Sequence, residues 1–139
     1  MKRIKEQSIS VPASTAYISA VRDFVGLYAN QFGFTDREVD EIRLAVDEAY
    51  TNVIKHAYQF DDNQRVLISI GAINDEFWVS ITDQGRAFNP EQYSEPDIKE
   101  RIRLKKRGGV GVYLIRRLMD AVEYNNMGGT NEIRMTKRR

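Results

Sequence analysis

Apolar residues recur with two different periods along the chain, and the switches between those periods lay out its elements. Residues 4–11 predict a short strand on which Ile9 and Val11 share a face and Ile4 falls out of phase. Pro12-Ala13-Ser14 supplies a break and a cap. Tyr17, Val21, Phe24, Val25 and Tyr28 then return every three or four residues, which predicts a helix from Ala16 to Gln31. Gly33 suits the left-handed residue that closes such a helix. Thr35-Asp36-Arg37-Glu38 reads as a capping box, because the Thr35 hydroxyl can accept an orphan backbone N–H and Glu38 can reach back. Val39, Ile42, Val46, Ala49 and Val53 continue from it as one stripe, so a second helix is expected over about 36 to about 57.

The period then drops to two. Arg65 to Ile73 (with Val66, Ile68, Ile70 and Ala72 on one face), a turn at Asn74-Asp75, and Phe77 to Thr82 predict a hairpin. Residues 84–107 have two prolines, many charges and little periodicity, as a long loop with at most one helical turn would. Gly108-Gly109-Val110-Gly111 opens a third helix packed through Val112, Ile115, Leu118, Met119 and Val122. A last hairpin pairs Ala121 to Asn125 with Thr130 to Thr136 across Asn126-Met127-Gly128-Gly129. Strand, helix, helix, hairpin, helix, hairpin implies an α+β two-layer sandwich with three main helices on one sheet face, not a parallel βαβ fold.

Composition narrows the function. A length of 139 residues fits one domain, expected to span 1–139. Lys plus Arg number 21 against 20 Asp plus Glu, so net charge selects no partner, and a generic nucleic-acid binder would be more basic. The absence of Cys excludes disulfides and thiolate catalysis, and a single His argues against a structural zinc site. No run approaches the ~18 apolar residues of a membrane span, and the start has no signal-peptide core. A soluble cytoplasmic protein, with no membrane partner and no direct nucleic-acid partner, is expected.

Three features carry chemistry. Glu48, Asn52, Lys55 and His56 form a polar stripe on the second helix, centred roughly 90° from its apolar stripe. Such a stripe is either a solvated flank or the lining of a pocket. Asp83 occupies the next inward position after Phe77, Val79 and Ile81, so its carboxylate lies either in water at a strand end or in a pocket. Gly85 beside it permits a tight turn or a close ligand approach. Arg107-Gly108-Gly109-Val110-Gly111, at a helix start, offers backbone N–H groups and a guanidinium to phosphate oxygens. Neither the Walker pattern nor the dinucleotide fingerprint is present, since Leu114 stands where the latter needs its third Gly.

In this order the motifs resemble those of the GHKL ATPases. Glu48-Ala49-Tyr50-Thr51-Asn52-Val53-Ile54-Lys55-His56-Ala57 is similar to the N box, Asp83-Gln84-Gly85-Arg86-Ala87-Phe88 to the first glycine box, and Gly109-Val110-Gly111 to the second. Gly129-Thr130 is a weaker match to the third. Val112-Tyr113-Leu114-Ile115 before Leu118-Met119-Asp120, with the short intervening loop, resembles the stand-alone bacterial anti-sigma factors that are also serine kinases. The resemblance implies a Bergerat-type ATP-binding fold whose mixed, mainly antiparallel sheet is covered on one face by helices. It implies Mg²⁺ and ATP as cofactors, with Asn52 holding the metal, Asp83 accepting the adenine amino proton, and Thr130 supporting the base. Gly85 would let the base approach, while Gly108, Gly109 and Gly111 meet the phosphates and Arg107 or Lys55 offsets charge on the γ-phosphoryl group. Glu48 would be the catalytic base.

The implied activity is that of a serine/threonine protein kinase. It would sequester a sigma factor, phosphorylate an anti-anti-sigma antagonist, and act as a homodimer through the first strand and first helix. An ATP-binding interaction module without kinase activity, acting on a non-sigma partner, is the alternative. Ala87 departs from the family pattern, where a second glycine is common, and so says nothing about ligands. The segment 86–107 is too short for a substrate domain. Its tail has five basic residues in seven from Arg101 to Arg107, which suits a solvated loop, a lid that closes on phosphates, or a docking patch. His56 reads as a helix-end hydrogen-bonding residue, and Tyr50, Tyr58 and Trp78 as packing.

Overall fold

The computed structural model describes residues 3–86 and 110–139. The chain runs β1 (Arg3–Pro12), a 3₁₀ turn (Thr15–Tyr17), α1 (Ile18–Phe32), α2 (Asp36–Asn52), a π-helical turn (Val53–Ala57), β2 (Arg65–Ile73), β3 (Glu76–Asp83), α3 (Val110–Leu118), β4 (Ala121–Met127) and β5 (Thr130–Arg138). The strands form one sheet in the order β1-β2-β3-β5-β4, and all four pairings are antiparallel. The parallel pairing that would make the sheet mixed is thus absent among the described residues.

Strand alternation supplies the core. Ile68, Ile70, Phe77, Val79, Ile81 and Met135 are fully buried on one face, against Val21, Val25 and Phe32 of α1 and Ile42, Val46 and Tyr50 of α2. Ile4 joins this face too, because β1 carries one extra residue between Ile4 and Gln7 relative to β2. That bulge inverts the phase of the strand and explains why Ile4 looked misplaced in the sequence. On the other face, Trp78 lies over Gly71, and the Arg134 guanidinium stacks 4.1 Å from its ring centroid.

The helix boundaries follow their caps. Ser14 caps the 3₁₀ turn, Gly33 ends α1 at φ 105°, and Thr35 and Glu38 close both halves of the capping box. The second helix departs from expectation after Asn52, where Tyr58 N–H donates to the Val53 carbonyl five residues back. Left-handed Gln59 (φ 50°) and Phe60 (φ 66°) then terminate it. The last turn also differs: the strands run to Met127 and Thr130, leaving a two-residue turn of Gly128 and Gly129, both with positive φ. Val122 belongs to β4, not to the third helix, which ends at Leu118.

Two basic residues of the C-terminal segment close the helix layer. Lys137 Nζ donates to the Leu118 carbonyl at the end of α3 (2.7 Å) and lies 4.0 Å from Glu41 of α2. Arg139 Nη1 donates to the Phe32 carbonyl at the end of α1 (2.9 Å). Positive charge at helix C-termini is favoured by the aligned peptide dipoles and by the orphan carbonyls there. No helix among the described residues is long and apolar enough to cross a membrane.

Candidate functional site

Asp83 ends β3 on the core-facing side and is only 6% exposed. Its Oδ1 accepts from the Gly85 backbone N–H (2.9 Å) and from Asn131 Nδ2 (2.9 Å). A buried carboxylate needs such donors, because desolvation otherwise penalises its charge. The Asn131 amide also donates to the Gly85 carbonyl (3.0 Å), so one side chain fixes both the carboxylate and the turn after it. These bonds take up Oδ1 and give Asp83 a set orientation.

The Asp-x-Gly turn is held against the π-helical turn. Arg86 N–H donates to the Ala57 carbonyl (2.7 Å), and Gln84 N–H donates to the Tyr58 hydroxyl (2.7 Å). That hydroxyl in turn donates to the Arg65 carbonyl (2.9 Å), joining the helix end, the start of β2 and the turn after Asp83. Burial, followed by the charge of Asp83, raises the Tyr58 pKa and keeps the phenol a neutral donor. A Cβ on Gly85 would fall well inside 3.0 Å of the Ala57 carbonyl. Gly85 is therefore a steric requirement of the site.

Glu48 and Asn52 stand one turn apart in the second half of α2, both half-buried. Lys55 and His56 are also half-buried, but they lie in the π-helical turn, which advances less per residue and shifts them from the phase a regular helix would give. Burial and then the neighbouring Lys55 charge lower the His56 pKa from 6.5. Gly111 lies in the first turn of α3, while Arg107, Gly108 and Gly109 fall outside the described residues.

Asn131, not Thr130, is the residue that β5 brings to Asp83. The register pairs Asp83 with Asn131, whereas Thr130 pairs with Met127 at the hairpin end, on the opposite face by alternation. Asn131 and Tyr58 were both missed as site residues in the sequence. The signal for Asn131 was the parity of β5: Ile133 and Met135 point inward, so 131 does as well.

The Histidine kinase-like ATPase domain model matches residues 11–137. The chain belongs to this family. It is 33% identical over 134 residues to Serine-protein kinase RsbW of Bacillus subtilis (strain 168), covering 93% of this chain and 82% of that protein. With Serine-protein kinase RsbW of Halalkalibacterium halodurans the identity is 35% over 133 residues, covering 93% and 80%. Two solved structures share the fold. The RsbU and RsbW domains of Rv1364c from Mycobacterium tuberculosis superpose at TM-score 0.68 with 15% identity, over 97% of this chain and 32% of that one. A chain of the SiaB-SiaC complex from Pseudomonas aeruginosa does so at TM-score 0.60 with 14% identity, over 94% and 88%.

Proposed function

We propose that the chain is a cytoplasmic, ATP-dependent serine/threonine protein kinase of a partner-switching system. It binds Mg-ATP, sequesters a sigma factor, and phosphorylates an anti-anti-sigma antagonist, acting as a homodimer. Family membership and RsbW-named relatives over most of the chain support this reading. The observation that carries it is the buried Asp83 carboxylate, tied through Oδ1 to Gly85 and Asn131 beside a turn with no room for a side chain. An oriented, buried acceptor at the end of β3 fits an adenine amino group.

The remaining residues fit the rest of the nucleotide. Bound Mg-ATP would supply the transferable γ-phosphoryl group and the metal's charge neutralisation. Asn52 presents an oxygen donor suited to a hard cation. Glu48, one turn before it, would take the proton from an attacking hydroxyl, and Lys55 would offset phosphate charge. Arg107, Gly108, Gly109 and Gly111 would contact the phosphates, and Thr130 would contribute only at the rim of the base site.

Calorimetry with and without Mg²⁺ tests the nucleotide site. Magnesium-dependent ATP binding is expected for the wild type and its loss for Asn52→Ala. Wild-type affinity in that variant would remove the metal assignment. Glu48→Gln is expected to bind ATP normally but to transfer little phosphate to a co-expressed antagonist domain. An unchanged transfer rate would favour another base, and no transfer by the wild type would favour the interaction module.

A further inference from the structure

Three polar residues stand in a row on three neighbouring strands at the site end of the sheet. The register sets Asp83 of β3 opposite Asn131 of β5, and Asn131 opposite Asn126 of β4. By alternation all three share the core-facing side with Ile81, Ile133 and Tyr124, two residues further along the same strands. The row is continuous because β5 lies between β3 and β4.

Hydrogen bonds run along this row in one direction. Asn126 Nδ2 donates to Asn131 Oδ1. Asn131 Nδ2 gives its two hydrogens to Asp83 Oδ1 (2.9 Å) and the Gly85 carbonyl (3.0 Å). With two acceptors on its nitrogen side, the amide seats in one orientation, and its oxygen faces β4. Asn126 meets that oxygen with a donor. A donor on the carbonyl polarises the amide and strengthens the N–H groups it offers to Asp83. Reversed, the amide would set its oxygen against the Asp83 carboxylate and the Gly85 carbonyl, which are both acceptors.

Asn126 is thereby tied to a carboxylate it does not touch. The hairpin end holds it in line, since Met127 and Thr130 form the last pair before the turn of Gly128 and Gly129. Its neighbour Asn125 is a contrast. That side chain lies on the opposite face, where its Nδ2 donates to Glu132 (3.3 Å) and Ser80 Oγ donates to the same carboxylate.

We propose that Asn126 is a positioning residue for base recognition, acting through Asn131 to aim Asp83 at the 6-amino group of the purine. This rests on the reading of Asp83 as the acceptor for adenine. Its effect is on selectivity, because a site built to accept an N–H discriminates against a ligand that lacks it. The triphosphate is the same with or without that amino group and does not depend on the row.

Calorimetry on the full chain with Mg²⁺, comparing ATP with purine riboside 5′-triphosphate, tests this. The two ligands differ only in the 6-amino group, and the wild type is expected to prefer ATP. Asn126→Asp keeps the size of the side chain but sets an acceptor against the Asn131 oxygen, so that the amide turns over and Asp83 loses its donor. It is expected to weaken ATP about tenfold and the analogue by no more than about twofold. Asn126 is exposed, so the change does not threaten folding. Asn126→Gln, which keeps a donor, is expected to restore most of the preference. Asn125→Asp adds the same charge one residue away on the other face and is expected to leave the preference as it is. The proposal fails if Asn126→Asp keeps the wild-type preference or weakens both nucleotides equally. It fails also if Asn126→Gln loses as much as Asn126→Asp, or if Asn125→Asp has the same effect. In each of those cases a wild type that prefers ATP leaves the adenine reading standing. A wild type that binds the two nucleotides equally, or neither, overturns that reading and this inference with it.

Discussion

At Gly85 the lack of a side chain decides whether the site can form, since a methyl group there would run into the Ala57 carbonyl that Arg86 N–H already occupies. Gly85→Ala is expected to cost about 1–3 kcal/mol in urea denaturation and to weaken ATP binding in calorimetry, because the turn must shift away from Asp83. Asn131→Ala should also reduce ATP affinity, since Asp83 loses a donor and freedom of rotation returns to its carboxylate. His56 sets a pH dependence. Its folded pKa lies below 6.5, so the unfolded chain binds the proton more tightly and stability falls as pH drops through 6.5. The loss levels off below the folded value. Denaturation curves at about pH 7.5 and 5.5 should therefore differ less for His56→Gln than for the wild type. Asp83 and Gly85 could be read from the sequence because each breaks a local pattern. For Asn131 the sequence shows only an inward position on β5; its place opposite Asp83 rests on the β3–β5 register, a pairing of residues 48 apart in the chain.

The elements whose signals are local came through intact. Thr35 and Glu38 cap α2 as their spacing indicates, and Thr35→Ala is expected to cost about 1 kcal/mol in thermal unfolding. Gly33 and the Asn74 turn (φ 58°) likewise stand where a left-handed residue was needed. Two irregularities did not show. The π-helical turn over Val53–Ala57 has no composition of its own and answers to tertiary partners, since Ala57 gives its carbonyl to Arg86 outside the helix. The bulge in β1 appeared only as a misplaced Ile4, and pairing with β2 is what resolves it.

For the molecule as a whole, one-sided strands and striped helices were enough to announce two layers, but the strand order and the fully antiparallel pairing rest on contacts distant in sequence. The ties between layers were equally hidden. Lys137 reads as a surface residue, yet it is 11% exposed and joins β5 to α2 and α3. Lys137→Ala is expected to lower the urea midpoint by an amount worth about 1–3 kcal/mol with the m value unchanged, because it orphans the Leu118 carbonyl and Glu41. The position of β5 between β3 and β4 also governs how the chain is made. A ribosome adding about 5–20 residues per second needs several seconds to go from Asp83 to Arg138. Until β5 has been made, β3, with Phe77, Val79 and Ile81 on its inner face, lacks the partner of its second edge, and an unpaired strand edge is a template for pairing with another chain.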